Sequence, residues 1–475
     1  MALLRFTRPL PVALAAALVV SACGGGDADD GTTSPVVSQA PKDAARMIGV
    51  NVLLNRAPDD ALLADIALVG KVRDVLGSIN ALTLQVREQD LAAVRALSYV
   101  IAAAPDVEVN GGPIENVPLT SFATGMNTWN LDAVNVTQFG STTRTVSYDG
   151  SGVYVAVIDT GLINDWRRYF PQERIAVEHA RAFGGGGGET GTVSSQPNKW
   201  EHDQVSHGTH VTATILGFDM NGAAIAGVAP GAKVIPVKVV NQNADTWSSV
   251  IARGIVYVAD LKASGALGAS PVVINMSLAM PSFGPLEQAA VDYALAKGVI
   301  VVAAAGNSGA GGMTSPASYA PVISVAAVGW TGQFLGGNAD WWFNRDVADP
   351  NSAASYYIRT SSSRALAGQQ LDVAAPGSSI MGPYQTNNGQ LAYSALSGTS
   401  MASPHVAGVA ALMLQKNSGL SQGQVESILK SSATPLPAAC VDVTAAAGTV
   451  SSVCWGDDAN GAGLVTADGA LAATP

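Results

Sequence analysis

The stretch LSGTSMASPHVAGVAALML, Leu396 to Leu414, constrains this chain more than any other. Gly398 can take backbone angles closed to other residues, and from about Ser400 the residues are small and apolar on every side, as in a helix packed inside a protein. The stretch reads as a glycine turn dropping into a buried helix with Ser400 at its start. There the unpaired N–H groups and the positive end of the macrodipole favour a developing negative charge, which suits a nucleophile whose substrate passes through an oxyanion. Pro404 falls early enough in the helix to cost little. The competing reading makes Ser400 a plain N-cap and His405 a core histidine.

A buried helix needs a large body around it. At 475 residues, with 48% apolar and 13% charged residues and 51 glycines, the chain reads as a glycine-rich α/β globule. A net charge of −11 argues against a nucleic-acid footprint and for an exported, soluble surface.

The N-terminus reads as a targeting segment. Arg5 and Arg8 precede an apolar run, Pro11 to Val20, too short to stay across a bilayer, which fits a signal peptide over residues 1–23. Its end, Val20-Ser21-Ala22-Cys23, resembles the lipobox of bacterial lipoproteins. That resemblance implies a lipid on Cys23 and attachment to the outer membrane or cell surface. The alternative is an ordinary signal peptide cut near Ala22 and an extracellular protein. Residues 24–45 begin GGGDADDGTTSP, a flexible polar tether, and no later stretch is long and apolar enough for a transmembrane helix. In an exported chain Cys440 and Cys454 are most simply a disulfide closing a surface loop. They lack a Cys-x-x-Cys spacing and a nearby histidine, which argues against a metal.

Residues 46–110 form a small α+β unit of their own. MIGVNVLL and INALTLQV alternate like strands, DLAAVRAL has helical spacing and VEVN closes as a short strand. Lying between a signal peptide and a larger domain, the unit reads as a propeptide; the alternative is a permanent accessory domain. Residues 111–124, with Gly111, Gly112, Pro113 and Pro118, read as a linker where processing falls.

The main domain, 125–475, alternates strand and helix. VYVAVIDTGL (Val153 to Leu162), IAGVAPGAKVIPVKVV (Ile225 to Val240), PVVINMSLAM (Pro271 to Met280) and GVIVVAAAGN (Gly298 to Asn307) are apolar runs of the kind buried on both faces of a parallel sheet. SSVIARGIVYVADLKASG and LEQAAVDYALAKG are the helical crossovers between them. Asp159 and Asn307 each close a strand, at the carboxyl end where such sheets place ligands. QVSHGTHVTATIL sets His207 and His210 on one helix face. A metal reading of that pair, extended by Glu201, His202 and Asp203, lacks the HExxH spacing, so no metal site is assigned. Asp159, His207 and Ser400 supply the three parts of a nucleophilic triad: a carboxylate to orient the imidazole, a base and an attacking hydroxyl. Asn307 and the Ser400 N–H would polarise the scissile carbonyl.

DTG at Asp159 to Gly161, HGTHV at His207 to Val211, AAGN at Ala304 to Asn307 and GTSMASPHVAG at Gly398 to Gly408 resemble the four signature blocks of the subtilisin-like serine proteases, in the order aspartate, histidine, serine. GAGLVTADGAL, Gly461 to Leu471, resembles the closing segment of their catalytic domain. The resemblance implies a three-layer αβα fold on a mainly parallel seven-stranded sheet and endopeptidase action through an acyl-enzyme on protein or peptide substrates. It also implies a propeptide acting as an intramolecular inhibitor, and a monomer. It implies too that an extended substrate adds as a strand between two edges, at Ser277, Leu278, Ala279 and Met280 and at Ala303, Ala304, Ala305 and Gly306. Ala279 stands where the family usually has glycine, which would narrow the specificity pocket.

No cofactor is required. A structural Ca²⁺ is common in the family after the histidine helix, where Asp219 and Asn221 are oxygen donors in an unusual spacing, so no particular calcium site is assigned. Residues 329–370, with Trp341, Trp342, Tyr356 and Tyr357, read as a long loop folded onto the body, and the pentaglycine Gly184 to Gly188 as a mobile surface loop. The rival to a secreted or lipid-anchored endopeptidase is a catalytically silent cell-surface binding lipoprotein on the same fold.

Overall fold

A computed structural model describes residues 46–112, 115–118, 128–138, 143–188, 194–196, 198–335, 352–385, 391–445 and 447–475. The signal peptide, Cys23, the tether 24–45 and Trp341 and Trp342 lie outside the described residues.

The N-terminal unit consists of β1 (Met47–Leu54), α1 (Asp60–Ile66), β2 (Lys71–Leu76), β3 (Ala81–Arg87), α2 (Leu91–Arg95) and β4 (Val100–Pro105). Its strands form an antiparallel sheet in the order β2-β3-β1-β4. Alternation along β1 sends Val50, Val52 and Leu54 into a private core with Leu62, Ile66, Leu82 and Leu84. The opposite face carries Asn51, buried against the main body. Two short strands follow, β5 (Glu108–Asn110) and β6 (Glu115–Pro118), so the expected linker is itself partly built into sheets.

The main body runs α3 (Trp129–Ala133), β7 (Tyr154–Asp159), β8 (Arg181–Gly184), β9 (Ser194–Ser195), α4 (His207–Leu216), β10 (Gly217–Met220), β11 (Ala223–Ala226), β12 (Lys233–Lys238), β13 (Asp245–Trp247), α5 (Ser248–Ala263), β14 (Val272–Met276), α6 (Pro285–Ala296), β15 (Val299–Ala304) and β16 (Ile323–Trp330). It continues β17 (Tyr356–Ile358), β18 (Val373–Pro376), β19 (Ile380–Gln385), β20 (Leu391–Ser397), α7 (Thr399–Lys416), α8 (Gln422–Ser432), β21 (Ala439–Thr444), β22 (Val450–Trp455) and α9 (Ala467–Ala473).

Nine strands make the central sheet, in the order β17-β16-β15-β14-β7-β12-β8-β9 with β18 on β16. The short β9 and β17 run antiparallel to their neighbours and the other pairings are parallel, so the expected parallel sheet of seven strands is extended by two antiparallel pieces. The chain steps from β7 to β12 in one direction and from β12 to β14 and β15 in the other. Right-handed crossovers therefore put α4 on one face and α5 and α6 on the opposite one. α7 packs beside α4, and the N-terminal unit rests on α5 and α6. The strand order reverses at β7, which is where such sheets open a crevice at their carboxyl ends.

The pentaglycine is not a loose surface loop. Gly186, Gly187 and Gly188 are buried between the Trp247 ring and the N-terminal unit. A Cβ on Gly49 of β1 would lie 2.3 Å from the Gly187 backbone, so the two segments meet only as glycines. Tyr356 and Tyr357 are buried in β17, folded onto the body.

Candidate active site

Asp159 is the last residue of β7 and fully buried. Just beyond it Gly161 has φ +90°, and a Cβ there would lie 2.2 Å from the Trp200 carbonyl oxygen. Gly208, second residue of α4, approaches Gly161 so closely that a Cβ on it would sit 2.5 Å from that residue's carbonyl oxygen. The Gly208 N–H donates to Thr160 Oγ1 at 2.7 Å. This glycine-only contact joins the strand end to the helix start, and His207 Nδ1 lies 2.8 Å and 3.0 Å from the two Asp159 carboxylate oxygens. Nδ1–H donates, which leaves Nε2 as the basic nitrogen. Burial opposes charge on this imidazole, but the charge and hydrogen bond of Asp159, with the charge of Asp203 behind, outweigh it and hold His207 above the ordinary histidine value.

The other two buried histidines are neutral. His210 Nε2 donates to the carbonyls of Ile380 (2.9 Å) and Ser394 (3.2 Å), and burial drives its pKa down to about 3. His405 Nδ1 donates to the Met401 carbonyl at 2.8 Å while Nε2 accepts from Asn130 Nδ2 at 2.8 Å; burial takes it to about 4. Both tie segments together. Among the described residues no three metal-ligating side chains cluster.

Ser400 is the second residue of α7, after Gly398 with φ +145°. Pro404 has no N–H to offer the Ser400 carbonyl; Ser277 Oγ donates to it instead at 2.7 Å, which compensates the missing helical bond. The Ser400 backbone N–H has no acceptor among the described residues. Its hydroxyl donates to the Ser277 carbonyl at 3.3 Å and not to His207, although both residues line one cavity of about 600 Å³. Contacts of this kind commonly tighten only around a bound substrate. Asn307 lines the same cavity. Its Oδ1 accepts from the Thr399 N–H (3.0 Å) and Thr399 Oγ1 (3.2 Å), and because a backbone N–H can only donate, the amide orientation is set and Nδ2 remains as a donor.

Of the two expected substrate edges, one lies on the cavity. Ser277, Leu278 and Ala279 line it. Ala303, Ala304, Ala305 and Gly306 do not form the other. Ala303 is paired to β14 and β16 at once and Ala304 to β16. The Ala305 N–H is bonded to the Val325 carbonyl and the Gly306 N–H to Thr399 Oγ1, so this backbone has nothing to offer a further strand. The β13 segment also lies on the cavity, through Ala244 and Thr246, and its edge is occupied: β5 pairs antiparallel with β13, and the Gly111 N–H donates to the Ala244 carbonyl at 2.7 Å. Gly111, Gly112 and Glu115 line the cavity, and β6 pairs antiparallel with β20 just before Ser400.

Asp219 spends Oδ1 on the Gly222 N–H at 2.7 Å in the β10–β11 hairpin, and Asn221 has no second carboxylate beside it, so this donor set does not fit a calcium cage. Cys440 and Cys454 face each other across β21 and β22 and form a disulfide. The β13 edge, Thr314 on the cavity wall and Lys238 behind the histidine escaped the sequence reading, and Asp203 entered it only beside Glu201 and His202 as an extension of the unassigned metal reading. A lysine inside the apolar run IPVKVV was the one available signal for Lys238.

Residues 150–463 match the subtilase family. Subtilisin DY from Bacillus licheniformis is 36% identical over 295 residues, covering 61% of this chain and 86% of that protein. Subtilisin Savinase from Lederbergia lenta is 37% identical over 287 residues, covering 60% and 85%. The crystal structure of fervidolysin from Fervidobacterium pennivorans, a keratinolytic enzyme related to subtilisin, superposes with a TM-score of 0.63 at 22% identity, covering 91% of this chain and 62% of that one. That last likeness is one of fold.

Proposed function

Because the chain belongs to the subtilase family and is a serine-type endopeptidase, we propose that it cleaves peptide bonds through an acyl-enzyme with Ser400 as nucleophile, His207 as general base and Asp159 as the carboxylate that orients it. The observation that carries this reading is the buried Asp159–His207 hydrogen bond opening onto a cavity that Ser400 and Asn307 share. In this mechanism His207 Nε2 takes the hydroxyl proton as Oγ attacks the carbonyl carbon. Asn307 Nδ2 and the Ser400 N–H stabilise the oxyanion, and the imidazolium returns the proton to the leaving amine. Water then repeats the sequence on the ester. Catalysis in this family needs no cofactor.

The N-terminal unit is proposed as an inhibitory prosegment. Its support is the pairing of β5 with β13 and the entry of Gly111 and Gly112 into the catalytic cavity, the place a substrate strand would take. The protein is proposed to be exported and monomeric, and lipid anchoring through Cys23 rests on the first 23 residues alone.

A fluorophosphonate probe tests the assignment. Labelling of protein recovered from cells should disappear in Ser400→Ala, with peptide turnover down by roughly a millionfold, the loss known for the same change in subtilisin. Turnover that survives Ser400→Ala would overturn the triad. Processed wild-type protein that takes no label would leave a binding protein on this fold.

A further inference from the structure

Two buried charges stand behind the Asp159–His207 pair, unused by the mechanism above. Asp203 is 1% exposed. Its Oδ1 accepts from the N–H groups of Val205 (3.0 Å) and Ser206 (2.7 Å), and its Oδ2 from Thr209 Oγ1 (3.0 Å) and the Thr209 N–H (3.4 Å). These bonds brace Ser206, which has φ +67°, and so fix the backbone that delivers His207. Lys238, the last residue of β12, is 8% exposed and stands beside Asp159 in the parallel register. Its ammonium donates to the Thr160 carbonyl at 2.6 Å and makes no direct ion pair among the described residues. An ammonium buried on one neutral acceptor is costly unless negative charge lies close, and here Asp203 and Asp159 both act on it through space.

The charge count around His207 is therefore two carboxylates against one ammonium. The other titratable groups facing the cluster are neutral His210 on α4, Tyr384 of β19, and, beyond His210, His405 of α7. With a neutral imidazole the cluster carries one net negative charge, and proton transfer from the serine brings it to zero. Without the ammonium two uncompensated carboxylates would trap the imidazolium; without Asp203 the imidazolium would add to a neutral cluster and form less readily.

We propose that Asp203 and Lys238 are a positioning pair for the reaction: Asp203 fixes the start of α4, and Lys238 cancels its charge so that Asp159 is the one uncompensated negative charge the imidazole meets. The proposal rests on His207 acting as the base.

The test is the acid limb of the kcat/KM profile on a peptide p-nitroanilide, using the full chain as recovered from cells and normalised to fluorophosphonate-labelled sites so that only folded enzyme is counted. Lys238→Met should move the midpoint up by about half a pH unit or more, roughly a threefold loss at a fixed pH on that limb; Asp203→Asn should move it down. The double variant should return near the unaltered midpoint. Single variants that leave the midpoint in place, or move it in the same direction, overturn the proposal. If Lys238→Met does not accumulate, the sign of the Asp203→Asn shift decides alone. Wild-type protein with neither label nor turnover would instead refute the triad on which the proposal rests.

Discussion

At the scale of single residues, Asn307 shows how far one backbone N–H can set a reaction. The Thr399 N–H holds Oδ1, so Nδ2 keeps its direction before any substrate arrives. Asn307→Ala should lower kcat by about 10²–10³ with KM little changed, roughly 3–4 kcal/mol, a magnitude known for the equivalent donor of subtilisin; steady-state kinetics on a peptide substrate checks it. Met401 lies 1% exposed on the cavity wall beside Ser400. Its oxidation to a bulkier, polar sulfoxide should abolish most activity, and Met401→Leu should remain active after the same peroxide treatment. That Asp159, His207 and Ser400 would meet at one cavity was legible because each lies at a strand end or helix start with a glycine one or two residues away, Gly161, Gly208 or Gly398, whose missing side chain is a local necessity. Ala303 to Gly306 were misread because the pairing that saturates their backbone comes from β14, β16 and Thr399, and no feature of AAAG itself reveals those partners.

At the scale of elements, the cleft is two walls meeting. The segment after β14 and the loop carrying Thr314 are joined by mutual hydrogen bonds between Met280 and Ser315, one residue beyond Ala279 and Thr314. Both of those side chains line the cavity, and a Cβ on Gly306 would lie 2.3 Å from Thr314 Oγ1, so little room separates hydroxyl and backbone. Hydrolysis should therefore favour glycine, alanine or serine before the cut. Replacing Ala279 and Thr314 by glycine should raise kcat/KM for a phenylalanyl p-nitroanilide at least tenfold relative to the alanyl one; an unchanged ratio would place the restriction elsewhere. The alternating strand and helix pattern made the parallel sheet readable, since β7, β12, β14 and β15 are predominantly apolar, with their few polar residues such as Asp159, Lys238 and Asn275 toward the carboxyl ends. The burial of Gly186 to Gly188 was not readable, because what covers them is the N-terminal unit and Trp247, far off in sequence.

At the scale of the whole molecule, the N-terminal unit is held to the body by a buried acid. Asp106, 9% exposed, accepts from Asn51 Nδ2, Ser248 Oγ, the N–H and Oγ of Ser249 at the start of α5, and the Gly187 N–H. Glu287, 2% exposed in the first turn of α6, faces the same Ser248; burial, with the charge of Asp106 adding, raises its pKa above the ordinary 4.5. A carboxyl raised in the docked state contributes stability that is full below its ordinary value and is lost as pH climbs through the raised one. Docking should thus be firmest in acid. In Ser400→Ala chains, deuterium uptake at the Gly187 and Ser249 amides, corrected for intrinsic rate, should increase upward from about pH 4.5, and Glu287→Gln should flatten that rise.

One further consequence belongs to the two short strands that flank the catalytic cavity, β5 seated on β13 and β6 on β20. A polypeptide held at both ends beside its own nucleophile meets it at an effective concentration that dilution cannot change. The first bond each molecule cuts should then follow unimolecular kinetics, with a half-time identical from nanomolar to micromolar protein, whereas attack on any other chain slows in proportion as the solution thins.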